Sequence, residues 1–97
     1  MPLTIVATFQ AKPEAAERLE KGLQALAVPT REEEGCISYR LYVDPEDPAA
    51  MVMVEQWADS AAIEAHNQSK HLQAFAKLAP ELLAAPPSVD VLKPTKD

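Results

Sequence analysis

Residues Glu55 to Phe75 read EQWADSAAIEAHNQSKHLQAF, and in this stretch a strand gives way to helices. A strand-like run ends at Trp57, and Asp59-Ser60 offers good N-cap side chains for a helix over residues 61–67. Ser69 can cap a second helical piece that carries apolar residues at helical spacing. The stretch therefore predicts a strand followed by two short helical segments.

The same stretch contains the side chains best suited to chemistry. It holds the only tryptophan of the chain, Trp57, and both histidines, His66 and His71. Histidine is the side chain whose ordinary pKa lies closest to neutral pH, so it is the usual candidate for a general base. If the chain has a chemical site, we expect it here.

The remaining elements follow from periodicity on either side. Strand-like alternation covers Leu3–Gln10 and the β-rich run CISYRLYVD at Cys36–Asp44, and a further strand runs from Ala50 to Trp57. An amphipathic helix begins at Pro13 and should stop or kink at Pro29, which lacks the amide for the helical hydrogen bond. The segment SVDVLKP near the end reads as a last strand.

This order predicts an α+β fold of the ferredoxin-like βαββαβ type, with helices on one face of a four-stranded antiparallel sheet. The strand at 50–57 is partly apolar on both faces, which suggests that a second copy covers the free face. We therefore expect a homodimer, a dimeric α+β barrel. Residues 1–97 form a single domain in this interpretation, with an ordered core over about 3–92 and a charged C-terminal tail.

Composition limits the classes of function. The net charge is -6 and there is no basic stripe, so nucleic acid is not an expected partner. One cysteine, Cys36, excludes an intramolecular disulfide framework, and no secretory signal or membrane span is apparent, so we expect a cytoplasmic protein. The acidic residues, including the run Glu32–Glu34, are interpreted as solvated surface.

Several motifs together resemble the antibiotic biosynthesis monooxygenase family, especially its small quinol-monooxygenase-like members. The resemblance extends over nearly the whole chain. Each motif is weak alone, and the shared order and spacing carry the likeness. The motifs are TIVATFQAKPE at 4–14, GCISY at 35–39, EQW at 55–57, AH at 65–66 and HLQAF at 71–75.

The resemblance implies a ferredoxin-like fold, a homodimer built by sheet packing, and a pocket in each subunit between the sheet and its helices. Some members oxygenate anthrones or quinols with dioxygen and without metal or flavin. Others degrade haem or act on a phosphorylated signalling sugar. The haem-degrading branch typically uses an asparagine on the first strand, and here that strand reads TIVATFQ, which argues against haem.

The leading hypothesis is a cofactor-independent monooxygenase that acts on a small aromatic or quinol-like substrate. His71 is the first candidate base and His66 the second, and no metal is expected because their spacing of five matches no recognised ligand motif. The residues expected to bind substrate are Trp57, Phe75, Glu55, Met53 and Tyr39. Two alternatives remain open: an isomerase or other proton-transfer enzyme using the same pocket, and a non-catalytic dimer that binds a small metabolite.

Overall fold

A computed structural model describes residues 1–96 and confirms the order of elements. Asp97, the end of the predicted charged tail, lies outside the described residues. No helix within residues 1–96 has the length and apolar character needed to cross a membrane. The elements are β1 (Leu3–Gln10), a 3-10 turn (Pro13–Ala15), α1 (Ala16–Arg31), β2 (Cys36–Asp44), β3 (Asp47–Trp57), α2 (Ser60–Asn67), α3 (Lys70–Leu82) and β4 (Ser88–Leu92).

The four strands form one antiparallel sheet in the order β2-β3-β1-β4, which confirms the ferredoxin-like α+β fold. The central pair, β1 and β3, is in register from Leu3 opposite Trp57 to Gln10 opposite Ala50. Successive side chains of a strand point to opposite faces, so one face of this pair is strongly apolar and buried. That face packs under the helices.

The core lies between this buried sheet face and α1 and α3. Leu19 and Leu23 of α1 and Leu82 of α3 are fully buried, as are Met51 and Met53 from the central strand β3. These residues recur at helical spacing on α1 and at every second position on β3, so both periodicities place them on the buried side.

The other sheet face has no covering layer within residues 1–96. Val52 and Val54 of β3 are only half-buried there, and Tyr42 of the edge strand β2 is 51% exposed. The other edge strand, β4, is exposed along its whole length. The expectation that a second copy covers this face stays a prediction.

Of the two outcomes expected at Pro29, a stop or a kink, the stop is wrong, because α1 continues for two more residues to Arg31. Pro29 removes only the hydrogen bond to the carbonyl of Ala25, a loss that a last helical turn tolerates. The hydroxyl of Thr30 donates to the carbonyl of Leu26 at 2.7 Å, which gives that carbonyl a further partner. The two N-caps are as expected: Asp59 and Ser69 accept from the amides of Ala62 and Leu72.

Gly35 makes the turn between α1 and β2 possible. Its φ is +89°, a left-handed conformation that favours glycine, and its carbonyl accepts a hydrogen bond from the amide of Ala58 at 2.8 Å. A Cβ at this position would lie 2.5 Å from Cβ of Ala62, on α2. The turn and α2 are therefore in direct contact, with no room for a side chain between them.

Gly35→Ala should lower the free energy of unfolding by about 1–3 kcal/mol, the usual cost of a residue held in a sparsely populated backbone region. The clash with Ala62 adds to this cost or pushes α2 away. Gly22→Ala is the matched control, because its Cβ would meet Phe75 at an ordinary 3.6 Å in mid-helix. For Gly22→Ala we expect the free energy of unfolding to rise by roughly 0.5–1 kcal/mol. Urea unfolding of both variants checks this, and equal stabilities would contradict it.

Candidate active site

A cavity of about 630 Å³ lies between the sheet and the helices. Its sheet wall is apolar and includes Ile5, Ala7 and Phe9 of β1, and α3 contributes Leu72 and Phe75 to the opposite wall. The rings of Phe9 and Phe75 meet edge to face, with centroids 6.2 Å apart. Four polar side chains also line the cavity: Tyr39, Glu55, His66 and Asn67. A mostly apolar pocket with a few polar groups is the usual form of a small-molecule site.

Glu55 is a buried carboxyl group on the cavity wall. It lies two residues before Trp57 on β3, so both side chains share the helix-facing side of the sheet. The indole Nε1 of Trp57 donates to Oε1 of Glu55 at 2.9 Å. Burial raises the pKa of Glu55 to about 7, the Trp57 hydrogen bond opposes this, and the nearby charge of Glu33 raises it further. Glu55 can therefore exchange a proton near neutral pH.

His66 is held on three sides. Its ring tilts over the indole of Trp57 with centroids 4.7 Å apart, and the ring of Tyr39 meets it at 5.7 Å in an edge-on contact. Its Nδ1 lies 2.7 Å from Oε2 of Glu33. These contacts fix the plane of a ring that is buried between α2 and the sheet.

Nε2 of His66 is the ring nitrogen that remains available. Among residues 1–96, every side-chain nitrogen or oxygen that is fully buried has a hydrogen-bond partner. Nε2 of His66 makes no hydrogen bond to the described residues, so this atom is not sealed from solvent, and the ring to which it belongs lines the cavity. With Nδ1 occupied by Glu33, a neutral ring presents the lone pair of Nε2 to a ligand.

Glu33 was interpreted from the sequence as solvated surface, and the structure corrects this. Its side chain is 15% exposed, and Oε2 also lies 2.6 Å from Nε2 of His71. The turn after α1 fixes the backbone, because the amide of Glu33 donates to Thr30 and its carbonyl accepts from Cys36. The carboxylate is drawn inward because two imidazoles from α2 and α3 converge on it.

Glu33, His66 and His71 bring three potential metal-donor atoms within 4.8 Å of one another. The spacing of five along the chain gave no sign of this, since the break at Ser69 between α2 and α3 turns the rings toward a common point. The two carboxylate contacts, at 2.7 and 2.6 Å, have the lengths of charge-assisted hydrogen bonds. We assign them as hydrogen bonds, each of which is worth about 1.5–3 kcal/mol.

The structure divides the predicted site residues into two groups. Four of them line the cavity: His66, Glu55, Tyr39 and Phe75. Trp57 and Met53 are fully buried and lie behind the wall, where Trp57 holds Glu55 and His66 in place. His71 is not among the lining residues and contacts Glu33 instead.

Two further polar side chains near the site have reduced acidity. Burial raises the pKa of Tyr39 well above its usual range, and the neighbouring Glu55 carboxyl adds to this. The pKa of Cys36 is also raised, first by burial and then by the charges of Glu33 and Glu55. The neutral phenol and thiol are therefore the favoured forms, and Cys36 lacks the activation of a nucleophile.

A sequence model described as antibiotic biosynthesis monooxygenase matches residues 2–78. The chain belongs to this family. It is 36% identical over 93 residues to the putative monooxygenase Rv0793 of Mycobacterium tuberculosis, with 96% of this chain and 91% of that protein covered. The structure of Rv0793 superimposes with a TM-score of 0.93, covering 100% of this chain and 98% of that one at 33% identity.

Three further relatives differ in how much of their length this chain covers. The structure of PA3566 from Pseudomonas aeruginosa is 40% identical, with a TM-score of 0.92 over 98% of this chain and 95% of that one. The probable quinol monooxygenase YgiN of Escherichia coli is 35% identical over 85 residues, covering 77% of this chain and 82% of that protein. The chain spans 63% of the length of sll1783 from Synechocystis, to which 95% of it aligns at 30% identity.

The buried Glu55 predicts a measurable pH dependence of stability. Its pKa rises from 4.5 to about 7 on folding, so the folded chain binds this proton more tightly. The contribution of Glu55 to stability is present at low pH and falls as the pH rises through this window. Glu55→Gln keeps an acceptor for Trp57 and removes the titration. The variant should gain stability relative to wild type by up to about 3 kcal/mol between pH 4 and pH 8.

Urea unfolding at intervals across this window measures the difference between wild type and variant. The exposed Glu64 on α2 offers a matched control, Glu64→Gln, whose difference from wild type should stay nearly constant. A Glu55→Gln difference that does not change with pH would contradict the assignment of a raised pKa.

Proposed function

We propose that this chain is a monooxygenase that oxidises a small, uncharged quinol, anthrone or similar phenolic substrate with dioxygen, without metal or flavin. The observation that carries this proposal is the buried His66, whose ring lines an apolar cavity and bonds one nitrogen to Glu33 while the other makes no hydrogen bond to the described residues. His66 is the proposed base. His71, the first candidate from the sequence, contacts Glu33 outside the cavity lining.

The proposed reaction makes few demands on the protein. His66 removes a proton from the substrate hydroxyl or the acidic carbon of an anthrone, and the resulting anion passes an electron to dioxygen. Recombination of the substrate radical with superoxide forms a carbon–oxygen bond, and the resulting peroxide takes the proton back from His66. Loss of water then breaks the O–O bond and the C–H bond of the same carbon, which leaves a carbonyl. One oxygen atom enters the product and the other leaves as water, with both electron pairs supplied by the substrate. An apolar cavity protects the reactive intermediates from solvent.

The charges around the cavity favour an uncharged substrate. Among the described lining residues there is no lysine or arginine, whereas Glu55 lies on the wall and Glu33 lies next to His66. An anionic ligand would enter without a cation to pair with, at the usual cost of burying an unpaired charge. This supports a neutral phenol over the phosphorylated sugar used elsewhere in the family.

The names of relatives support the same class of reaction. Rv0793 and YcnE of Bacillus subtilis are named putative monooxygenases, and YgiN is named a probable quinol monooxygenase. A location in the cytoplasm is part of this proposal, as the sequence suggested.

Chelator-treated protein should consume oxygen with at least one hydroquinone or anthrone, and ¹⁸O₂ should place one labelled atom in the product. His66→Gln, which keeps polar contact with Glu33 but lacks a base, should lower kcat by about 10²–10⁴-fold. A carboxylated hydroquinone should react much more slowly than its neutral parent. The control is Gln68→Ala, an exposed change at the end of α2.

Absence of oxygen uptake with the whole panel would contradict the monooxygenase. The second candidate, an isomerase or other proton-transfer enzyme, is favoured by a carboxyl group and an imidazole, Glu55 and His66, that line one cavity. It predicts ligand deuteration in D₂O under anaerobic conditions, lost in His66→Gln. Tight ligand binding that survives this substitution, without turnover, would instead support a metabolite-binding protein.

We also propose that the chain forms a homodimer through the sheet face opposite the helices. This face carries the half-buried Val6 and Val54 beside each other on the central strands, with Tyr42 exposed nearby. A second copy presents the same apolar strip, so a twofold pairing buries both.

Val54→Lys should convert the dimer to a monomer, because it places a buried charge at the centre of the proposed contact beside Arg40 on the next strand. Light scattering should then give 10.6 kDa instead of twice this mass. Val28→Lys on α1 is the control, since Val28 is 64% exposed on the helical side. A monomeric wild-type protein would overturn the proposed dimer.

A further inference from the structure

Two imidazole rings contact the same carboxylate oxygen of Glu33. Oε2 lies 2.7 Å from Nδ1 of His66 and 2.6 Å from Nε2 of His71. The three residues come from the turn after α1, from α2 and from α3. Glu33 is separated in the chain by 33 residues from His66 and by 38 residues from His71. Side-chain exposure rises outward, from 5% for His66 through 15% for Glu33 to 26% for His71.

We propose that Glu33 and His71 are positioning residues for His66: Glu33 fixes its protonation pattern and His71 holds the Glu33 carboxylate in place. This inference rests on the proposed function, because it treats His66 as the base. Neither Glu33 nor His71 lines the cavity, so both act through His66.

The protonation pattern follows from donor and acceptor roles. An ionised carboxylate only accepts hydrogen bonds, so each imidazole that contacts it at this distance presents an N–H. The proton of neutral His66 is then on Nδ1, and Nε2 carries the lone pair that faces the cavity. When Nε2 takes a proton from the substrate, the imidazolium remains bonded to a negative partner, as in other carboxylate–histidine pairs.

The role of His71 follows from its place on the outer side of the same oxygen. Glu33 lies in a turn, and a glutamate side chain has several freely rotating bonds that must be ordered for the contact with His66. A second N–H donor from α3 restricts the carboxylate from a different direction. Ser69 links the same parts, since its hydroxyl donates to the carbonyl of His66 at 2.7 Å and caps the helix that carries His71.

The first test is a direct reading of the protonation pattern, which needs no substrate. Long-range ¹H–¹⁵N spectra of chelator-treated wild-type protein should show neutral His66 with the proton on Nδ1. Glu33→Gln should produce a mixture of the two neutral forms, because an amide can donate to Nδ1 as well as accept from it. A wild-type ring with its proton on Nε2, or an unchanged pattern in Glu33→Gln, would overturn the proposal.

The second test is kinetic. Glu33→Gln should lower kcat by about 10²-fold or more while KM changes less than about threefold, since the wrong protonation pattern affects the chemical step. His71→Leu should lower kcat by about tenfold, and His71→Gln, which restores an N–H donor, should recover most of it. Gln73→Leu, an exposed change on the same helix, is the control and should leave kcat unchanged.

The two proposals fail in different ways. A wild-type protein that never consumes oxygen rejects the proposed function, while the spectra still decide whether Glu33 sets the protonation of His66. Normal kcat in both Glu33→Gln and His71→Leu, alongside an inactive His66→Gln, rejects the positioning role and leaves the proposed function standing. Unfolding curves for each variant exclude a loss of activity through misfolding, and His71→Gln gives a second, milder perturbation.

Discussion

The site depends on the close contact between the turn at Gly35 and helix α2. The turn reaches Ala62 so closely that no side chain fits between them, and the carbonyl of Gly35 is tied to the amide of Ala58. Glu33 lies two residues before this contact and His66 lies one helical turn after Ala62. A carboxylate from a turn can therefore meet an imidazole from a helix at 2.7 Å only while this contact holds. The backbone conformation of one glycine therefore contributes to the distance between two side chains of the candidate site.

On the inner side of His66, the sheet supplies a second carboxyl group. Glu55 and Trp57 share one face of β3 because they are two residues apart, and the indole proton of Trp57 is used to bond Glu55. Without this hydrogen bond, burial of the Glu55 carboxyl group would cost more free energy. Trp57 thus has two structural roles: its Nε1 bonds Glu55, and its ring packs against the ring of His66. The tryptophan organises the polar groups of the cavity without lining it.

Most of the fold could be predicted from the sequence, and the site could be predicted only in part. Alternation in β1 and β3 and the caps at Asp59 and Ser69 are local signals, and they correctly gave strands, helices and their order. The interior position of Glu55 also follows from its alternation with Trp57. Local patterns have a range of a few residues, however, and so they place histidines on helices without showing which ring faces a cavity.

Glu33 shows where such reasoning stops. It lies within the acidic run Glu32–Glu34, whose two outer members are exposed, and nothing in that run marks the middle one as different. Its partners are 33 and 38 residues away, so only the tertiary fold brings them together. The nearest signal was Gly35, because a glycine with a left-handed conformation in the turn after a helix fixes the direction of the chain and hence the side from which Glu33 points. The direction of Glu33 indicates a contact with His66 only once the position of α2 is known.

The arrangement of charge explains how a cavity whose described lining holds no lysine or arginine could still form an anion in the proposed reaction. Glu33 is the carboxyl group bonded to His66, and Glu55, with a pKa of about 7, is protonated in a large share of molecules near neutral pH. A neutral phenol can therefore enter without meeting a full charge on the cavity wall. Once His66 accepts the proton, the imidazolium is paired with Glu33 on one side and with the new anion on the other. An ionised Glu55 would repel that anion, and so the burial that raises the pKa of Glu55 favours the reactive state. An anion arriving from solvent would have to lose its hydration before a charged partner exists, and for this reason we expect the site to favour neutral ligands.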